Sequence, residues 1–179
     1  MSNPMEMLGE VVKRESEKIL GLVDATIVTL ALTKPFVVKD FFVVDTSETA
    51  KVKISYLGDS FQTEFLSQVL GVRQAFSLSA WKKLTRSSPD KPMIAELGEN
   101  HETDIGVVFD LMSRQPNGEK GVLLTNCYAN IFYCKDTAGV LRTVYARWAG
   151  DGWCVYSDSV GDPNVWGGGT QVFSRNSVA

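Results

Sequence analysis

The sequence predicts a single α+β domain built on an antiparallel β-sheet and covered by amphipathic helices, and three observations lead there. Residues 121–158 hold three apolar and aromatic runs, VLLTNCYANIFYCKD, VLRTVYARW and WCVYSDS, separated by the short breaks TAG and AGDG. Val, Thr, Ile, Tyr, Phe and Trp dominate these runs and pack well on a pleated surface. The candidate helices and strands cluster separately rather than alternating strictly, which favours α+β over a parallel α/β sheet. Finally, 179 residues, 44% hydrophobic and 22% charged, describe one ordinary globular body with a sizeable core. The expected division is an N-terminal amphipathic helix over residues 1–24, a three-stranded C-terminal meander over 121–158 as the core sheet, and a flexible, glycine-rich tail over 161–179.

The chain opens on Asn3-Pro4-Met5-Glu6, in which Asn3 can cap a helix, Pro4 fits its first position and Glu6 stands three residues after the cap. Leu8, Val12, Ile19 and Val23 follow at helical spacing, with Glu10, Lys13, Arg14 and Glu17 on the other faces. Residues 26–32 suit a strand or a helical continuation until Lys34-Pro35 breaks them. Residues 36–44 and 51–57 read as strands, the second alternating Val52, Ile54 and Tyr56 with Lys51, Lys53 and Ser55. Phe61, Phe65, Leu66, Val69 and Leu70 give a short helix ending at Gly71. Residues 77–86 read as a further helix with Leu78, Trp81 and Leu84 inward. Residues 87–92 read as an irregular linker, and 93–97 as a short apolar return. Residues 102–114 form a helix pattern with Ile105, Val108, Phe109, Leu111 and Met112 on one face, stopped by Pro116-Asn117-Gly118. In the meander, Asp151-Gly152 is the strongest turn signal, consistent with a type I′ hairpin. A loop at 149–152, or a tighter one at 150–151, sets Trp148 opposite Trp153. In the tail, residues 170–174 could form a last strand.

The bulk properties bound the function. A net charge of −3 argues against dedicated binding of nucleic acid or an anionic membrane. The three cysteines show no C-x-x-C spacing, so reduced thiols and a cytoplasmic setting are the simplest expectation. The apolar run 19–32 contains Asp24 and is shorter than the roughly 20 residues a membrane helix needs. It follows Glu6, Glu10, Glu15 and Glu17, unlike a secretory signal.

His101 is the sole histidine, so any triad, Cys–His dyad or multi-histidine metal site depends on it. Its place at a helix start suits an exposed residue of the cap region. Glu96, Glu99, Glu102 and Asp104 form the densest acidic cluster, which could hold a divalent cation, but carboxylates before a helix also complement its dipole. We expect no metal site and no cofactor. Cys127, Cys134 and Cys154 read as buried, small hydrophobes. Arg73, Lys82, Lys83, Arg86 and Lys91, with Phe76 and Trp81 between them, form the one basic–aromatic stretch. Neither a phosphate loop nor a dinucleotide-binding glycine motif occurs.

Asn126, Tyr128 and Asn130 share one face of an extended strand, and two amides flanking a phenol make it rich in directional donors and acceptors. Arg147 and Trp148 on the neighbouring run extend this face. The leading expectation is therefore a non-enzymatic binding or assembly protein, acting on a protein partner or a second copy of itself through a sheet face or the N-terminal helix. The candidate binding residues are Asn126, Tyr128, Asn130, Arg147 and Trp148. The alternative is a small enzyme, a metal-assisted hydrolase for instance, using His101 and the cluster at 96–104. A nucleic-acid-binding module at residues 73–91 comes third.

The fragment TVYARWAGDGWCVYSDS, residues 143–159, resembles the closing hairpin of small cone-shaped α+β domains such as the nuclear-transport-factor-2-like group. The elements before it follow a different order, and no fold or residue role is transferred.

Overall fold

The structure is a computed structural model. It describes residues 18–21, 23–82 and 84–176, and their side chains except at 23, 24, 81 and 82. It is a single α+β fold. In chain order the elements are β1 (Val23–Val28), β2 (Phe36–Val37), α1 (Val38–Phe41), β3 (Ile54–Leu57), α2 (Asp59–Phe65), β4 (Val69–Leu70), β5 (Ser77–Lys82) and α3 (Asp90–Leu97). A 3₁₀ turn (Gly98–His101), β6 (Glu102–Thr103), α4 (Ile105–Ser113), β7 (Asn130–Lys135), β8 (Leu141–Ala149), β9 (Gly152–Ser159) and β10 (Gln171–Arg175) complete the chain. The main sheet runs β1-β5-β10-β7-β8-β9-β3, with β6 also paired to β7, while β2 and β4 form a separate two-stranded ladder.

The sheet is mixed, which corrects the antiparallel expectation. Strands joined by tight loops pair antiparallel, β7 with β8 and β8 with β9. By contrast, β10 lies parallel to β7, β6 parallel to β7 and β3 parallel to β9. A tight hairpin obliges antiparallel pairing, whereas strands arriving from distant parts of the chain are free of that constraint. At the hairpin, Trp148 pairs with Trp153 and Ala149 with Gly152, leaving Gly150-Asp151 as the loop. Positive φ is confined to Gly150, at 71°, so the turn has the type II′ rather than the type I′ pattern. The two indole rings meet edge to face at 5.4 Å and 81°.

Both faces of the sheet carry core. On one, Phe132, Val144, Ala146, Trp153, Val155 and Phe173 meet α2, α4 and the 36–57 segment through Phe61, Phe65, Val108, Leu111 and Phe42. On the other, Ile131, Tyr133 and Val172 meet α3 through Met93 and Leu97, together with Ile19, Leu20 and Leu84. Helix α4 lies inside the predicted 102–114 span and begins at Asp104, whose carboxylate accepts the Val107 amide at 3.2 Å.

Several elements differ from the sequence reading. The predicted helix over 1–24 lies outside the described residues up to 17, and its last residues begin β1. Residues 77–82 form a strand instead of a helix. Leu78 and Ala80 alternate inward at period two, and β1 and β10 hydrogen-bond to both edges of this strand. The linker at 87–92 instead runs into α3, and Pro92 sits in that helix's first turn, where its missing N–H costs nothing. Of the strand predicted over 36–44, only two residues remain before the one-turn α1.

The meander's first run is also shorter than predicted, because residues 121–129 are irregular and β7 starts at Asn130. Two buried amides satisfy the backbone there. Gln115 binds the Leu123 N–H and C=O and the Glu119 carbonyl, while Asn130 binds the Leu124 N–H and C=O and the Ala146 carbonyl. Side chains thus take the place of a ladder. The segment expected to be a flexible tail over 161–179 contains β10, which lies between β5 and β7 with four of its five residues buried. The Gly167–Gly169 run precedes that strand, and the apolar pattern after it decides the outcome.

Candidate recognition surface

The face that carries Ile131 and Tyr133 is covered by α3 only at one end. At the other end β8 and β9 present Tyr145, Arg147, Tyr156 and Asp158, because alternate residues on a strand point to the same side. Pairing brings these together, Arg147 opposite Cys154, Tyr145 opposite Tyr156 and Thr143 opposite Asp158, while β3 adds Tyr56 opposite Cys154. The segment between β9 and β10 returns over this face and is pinned by backbone bonds between Ser88 and Trp166. Trp166 then closes a row of four rings across the sheet. Tyr56 and Tyr156 are 5.6 Å apart, Tyr156 and Tyr145 stack at 5.0 Å and 13°, and Tyr145 meets Trp166 edge-on at 5.0 Å.

A cavity of about 260 Å³ opens beside this row, lined by Cys127, Tyr145, Arg147, Asp158, Asn164 and Trp166, with Ala129 and Val165. The Arg147 guanidinium lies over the Tyr156 ring at 5.0 Å and donates to the Tyr156 hydroxyl at 3.1 Å. That hydrogen bond favours its charged form. Burial raises the Asp158 carboxyl above the usual range, with the nearby Asp162 charge adding to it. Burial and then the Asp158 charge push the Tyr145 hydroxyl up to about 12.

Below the cavity lies a buried carboxyl. Asp90 is 1% exposed, and one of its oxygens accepts the Tyr133 hydroxyl at 3.0 Å and the Trp166 indole N–H at 2.9 Å. Burial raises its pKa against the opposing pull of these donors. The indole that walls the cavity is therefore fixed from beneath by a buried acceptor.

The residues selected from sequence are not brought onto one face. Asn130 is fully buried and spends its amide on Leu124 and Ala146. Asn126 is exposed, in the irregular segment. Tyr128 is 51% exposed, and its ring lies so close over Gly169 that a Cβ there would overlap it. Arg147 is on the open face, whereas its neighbour Trp148 points to the opposite core and packs on Gly118, whose φ is +72°. Tyr145, Tyr156, Asp158, Trp166 and Tyr56 were missed. The signal for two of them was present, since pairing Trp148 with Trp153 fixes a register in which Tyr145 must face Tyr156.

Of the groups considered for catalysis, Glu99 is exposed, and the others are engaged elsewhere. Glu96 accepts the Ile19 and Leu20 amides, Glu102 pairs with Lys135 at 2.7 Å, and Asp104 combines its cap with an ion pair to Arg73 at 2.8 Å. His101 Nδ1 lies 2.5 Å from the Gly98 carbonyl, and its ring meets Tyr133 edge-on. Among the described residues no group of three His, Cys, Asp or Glu side chains is placed to hold a metal ion. All three cysteines are free. Cys134 and Cys154 are buried, as expected, whereas Cys127 is exposed at φ 69° in the irregular segment. In the basic–aromatic stretch, Arg73 and Arg175 flank the Phe76 ring at 4.9 and 4.3 Å, while the Trp81 and Lys82 side chains and Lys83 lie outside the described parts. A second cavity, about 420 Å³, lies near α1 between Phe41, Val43 and Phe109. Among the described residues no helix is long and apolar enough to cross a membrane.

No protein-family model matches the chain, and neither a curated protein nor a solved structure matches it.

Proposed function

We propose that the chain is a non-enzymatic binding protein that engages a protein partner through the open end of its sheet face, in a cytoplasmic setting that keeps its thiols reduced. The observation that carries this reading is the row Tyr56–Tyr156–Tyr145–Trp166 with Arg147 held against it. Tyrosine, tryptophan and arginine dominate the energetic centres of protein interfaces, because they bury large rigid area and keep a polar handle. Of the groups the enzyme alternative would use, His101, Glu96, Glu102 and Asp104 have local structural partners, and Glu99 is exposed.

A base-stacking platform would present ring faces to solvent. Here the Tyr145 and Tyr156 rings stack on each other, and the Arg147 guanidinium lies over the Tyr156 ring. With a net charge of −3, this favours a protein partner over a nucleic acid. Of the residues selected from sequence, Asn126, Tyr128 and Arg147 remain available to a partner, while Asn130 and Trp148 support the surface from within.

The test uses immobilised wild-type chain, Arg147→Glu and His101→Ala, with lysate from the native source and a labelled second copy of the chain as prey. Capture by wild type and His101→Ala, lost with Arg147→Glu at an unchanged melting temperature, is the expected result. Capture indifferent to Arg147→Glu would place the interface elsewhere.

A further inference from the structure

Arg147 and Asp158 line the same cavity, and the hairpin register sets the distance between them. Arg147 lies opposite Cys154, whereas Asp158 lies opposite Thr143. The two residues are therefore four positions apart along the ladder, which separates their backbones by roughly 13 Å at the rise of an extended strand. No ion pair joins them among the described residues.

Among the described residues neither charge is cancelled by another partner. Arg114, Arg142 and Lys135 all have carboxylate partners, as does Arg73. Arg147 has none among the described residues, and its described contacts are the ring and hydroxyl of Tyr156. A guanidinium has five N–H donors in a rigid fork, and this one is orientated beforehand with donors to spare. Asp158 is half-buried, and the charged neighbours that act on it are acids, Asp162 and Glu64. Tyr145, Asn164 and Trp166 line the cavity with them, and the surface it exposes is mainly polar. The cavity thus carries one positive and one negative side chain on a polar wall.

We propose that this cavity takes a short extended peptide segment of the partner, with an acidic group on Arg147 and a basic side chain on Asp158, roughly four residues apart. The spacing follows from the ligand's own geometry, since an extended chain advances about 3.3 Å per residue. Side chains separated by an even number of positions also fall on one side of it. The acidic group could be an Asp or Glu side chain or a C-terminal carboxylate, because both present the same planar pair of oxygens to the fork. This inference rests on the open face being the recognition surface.

The experiment is selection from a display library of random peptides of about nine residues, in two arms, one with free and one with blocked C-termini. Winning peptides are then synthesised and titrated against wild type, Arg147→Glu, Asp158→Lys and the double variant. Asp158→Asn stands in should the lysine substitution fail to fold. The expected winners carry an acidic and a basic residue roughly four apart. Each single variant should weaken them by at least about tenfold, and a charge-swapped peptide should recover binding on the double variant, or on Arg147→Glu alone with its acidic group exchanged. Enrichment confined to the free-terminus arm would assign the acidic group to a chain end, and enrichment in both arms to a side chain. No enrichment, or winners whose affinity ignores both variants and the charge swap, overturns the proposal. If partner capture still depends on Arg147 in that event, the open face remains the interface and binds a folded surface instead. If capture ignores Arg147 as well, both readings fall together.

Discussion

The two sides of β8 do different work. Val144, Ala146 and Trp148 point into the large core with Trp153 and Val155, and the first two are fully buried. Tyr145 and Arg147, interleaved with them, stand on the open face beside a cavity. One nine-residue strand therefore holds the fold together on one side and offers a patterned surface on the other. Period-two alternation makes this possible, because a substitution at an odd position need not disturb an even one. Stability and recognition should consequently separate residue by residue along this strand.

The largest effect should come from the core side. Trp153 is fully buried and its indole N–H donates to the Gln115 carbonyl at 3.1 Å. Trp153→Ala should cost about 3–5 kcal/mol, read from a denaturant midpoint. A midpoint close to wild type would show that this face is not the one that organises the fold. A smaller loss, about 2 kcal/mol, should follow Asn130→Ala, which strips partners from both backbone groups of Leu124 and from the Ala146 carbonyl. Faster hydrogen exchange at the Leu124 amide would accompany it, and unchanged exchange would show that the amide does not hold this segment.

These same residues explain what could be read from the sequence. The hairpin was legible because its information is local, a Gly-Asp-Gly turn between two aromatic runs. Helix α4 was legible because a cap and an apolar stripe agree. Residues 77–82 misled because SLSAWK fits both periods, and the choice was made by β1 and β10, which are distant in sequence. Residues 121–129 look like a strand by composition, yet Gln115 and Asn130 bind the backbone of Leu123 and Leu124 in place of a neighbouring strand. At the candidate site, Arg147 and Tyr128 were accessible to inspection of the sequence. Trp148 was placed on Arg147's side, although adjacent strand residues face opposite ways. Trp166 could not have been placed, since its position depends on the return of the 160–170 segment and on the buried Asp90.

Asp90, which holds Trp166 on the open side, can be probed by pH. Its carboxyl pKa is raised, chiefly by burial, so the folded state holds the proton more tightly than the unfolded chain does. The resulting stabilisation is fully present below the ordinary carboxyl pKa near ~4 and is lost as pH rises through the folded value. Asn keeps one oxygen to accept both the Tyr133 hydroxyl and the Trp166 N–H, and it never ionises. The melting temperature of Asp90→Asn minus that of wild type should therefore grow in the variant's favour between about pH 4 and pH 7. Taking this difference removes the contributions of the other carboxyls. A flat difference would mean that the carboxylate is as well accommodated as the amide, and that Trp166 is not held by a strained group.

The smallest change in stability should come with the largest change in binding, and neighbouring residues provide the comparison. Arg147→Ala removes an exposed guanidinium, its hydrogen bond to Tyr156 and its contact with that ring, at a cost of about 0.5–1 kcal/mol. Trp148→Ala, one residue along and on the other side, empties part of the core over Gly118 and Trp153 and should cost about 2–3 kcal/mol. Partner capture should reverse this order. It should disappear with Arg147→Ala, and it should survive Trp148→Ala at temperatures where that variant is still folded. Tyr128→Ala belongs with Arg147, since half the ring is exposed and its removal uncovers Gly169 without opening the core. Melting curves and capture measured on the same preparations decide the matter. If Trp148→Ala and Arg147→Ala lose capture in proportion to the stability each has lost, the strand has one role rather than two. If Arg147→Ala leaves capture intact while Tyr128→Ala abolishes it, the surface is centred on the 121–129 segment, and the cavity beside Tyr145 lies at its rim.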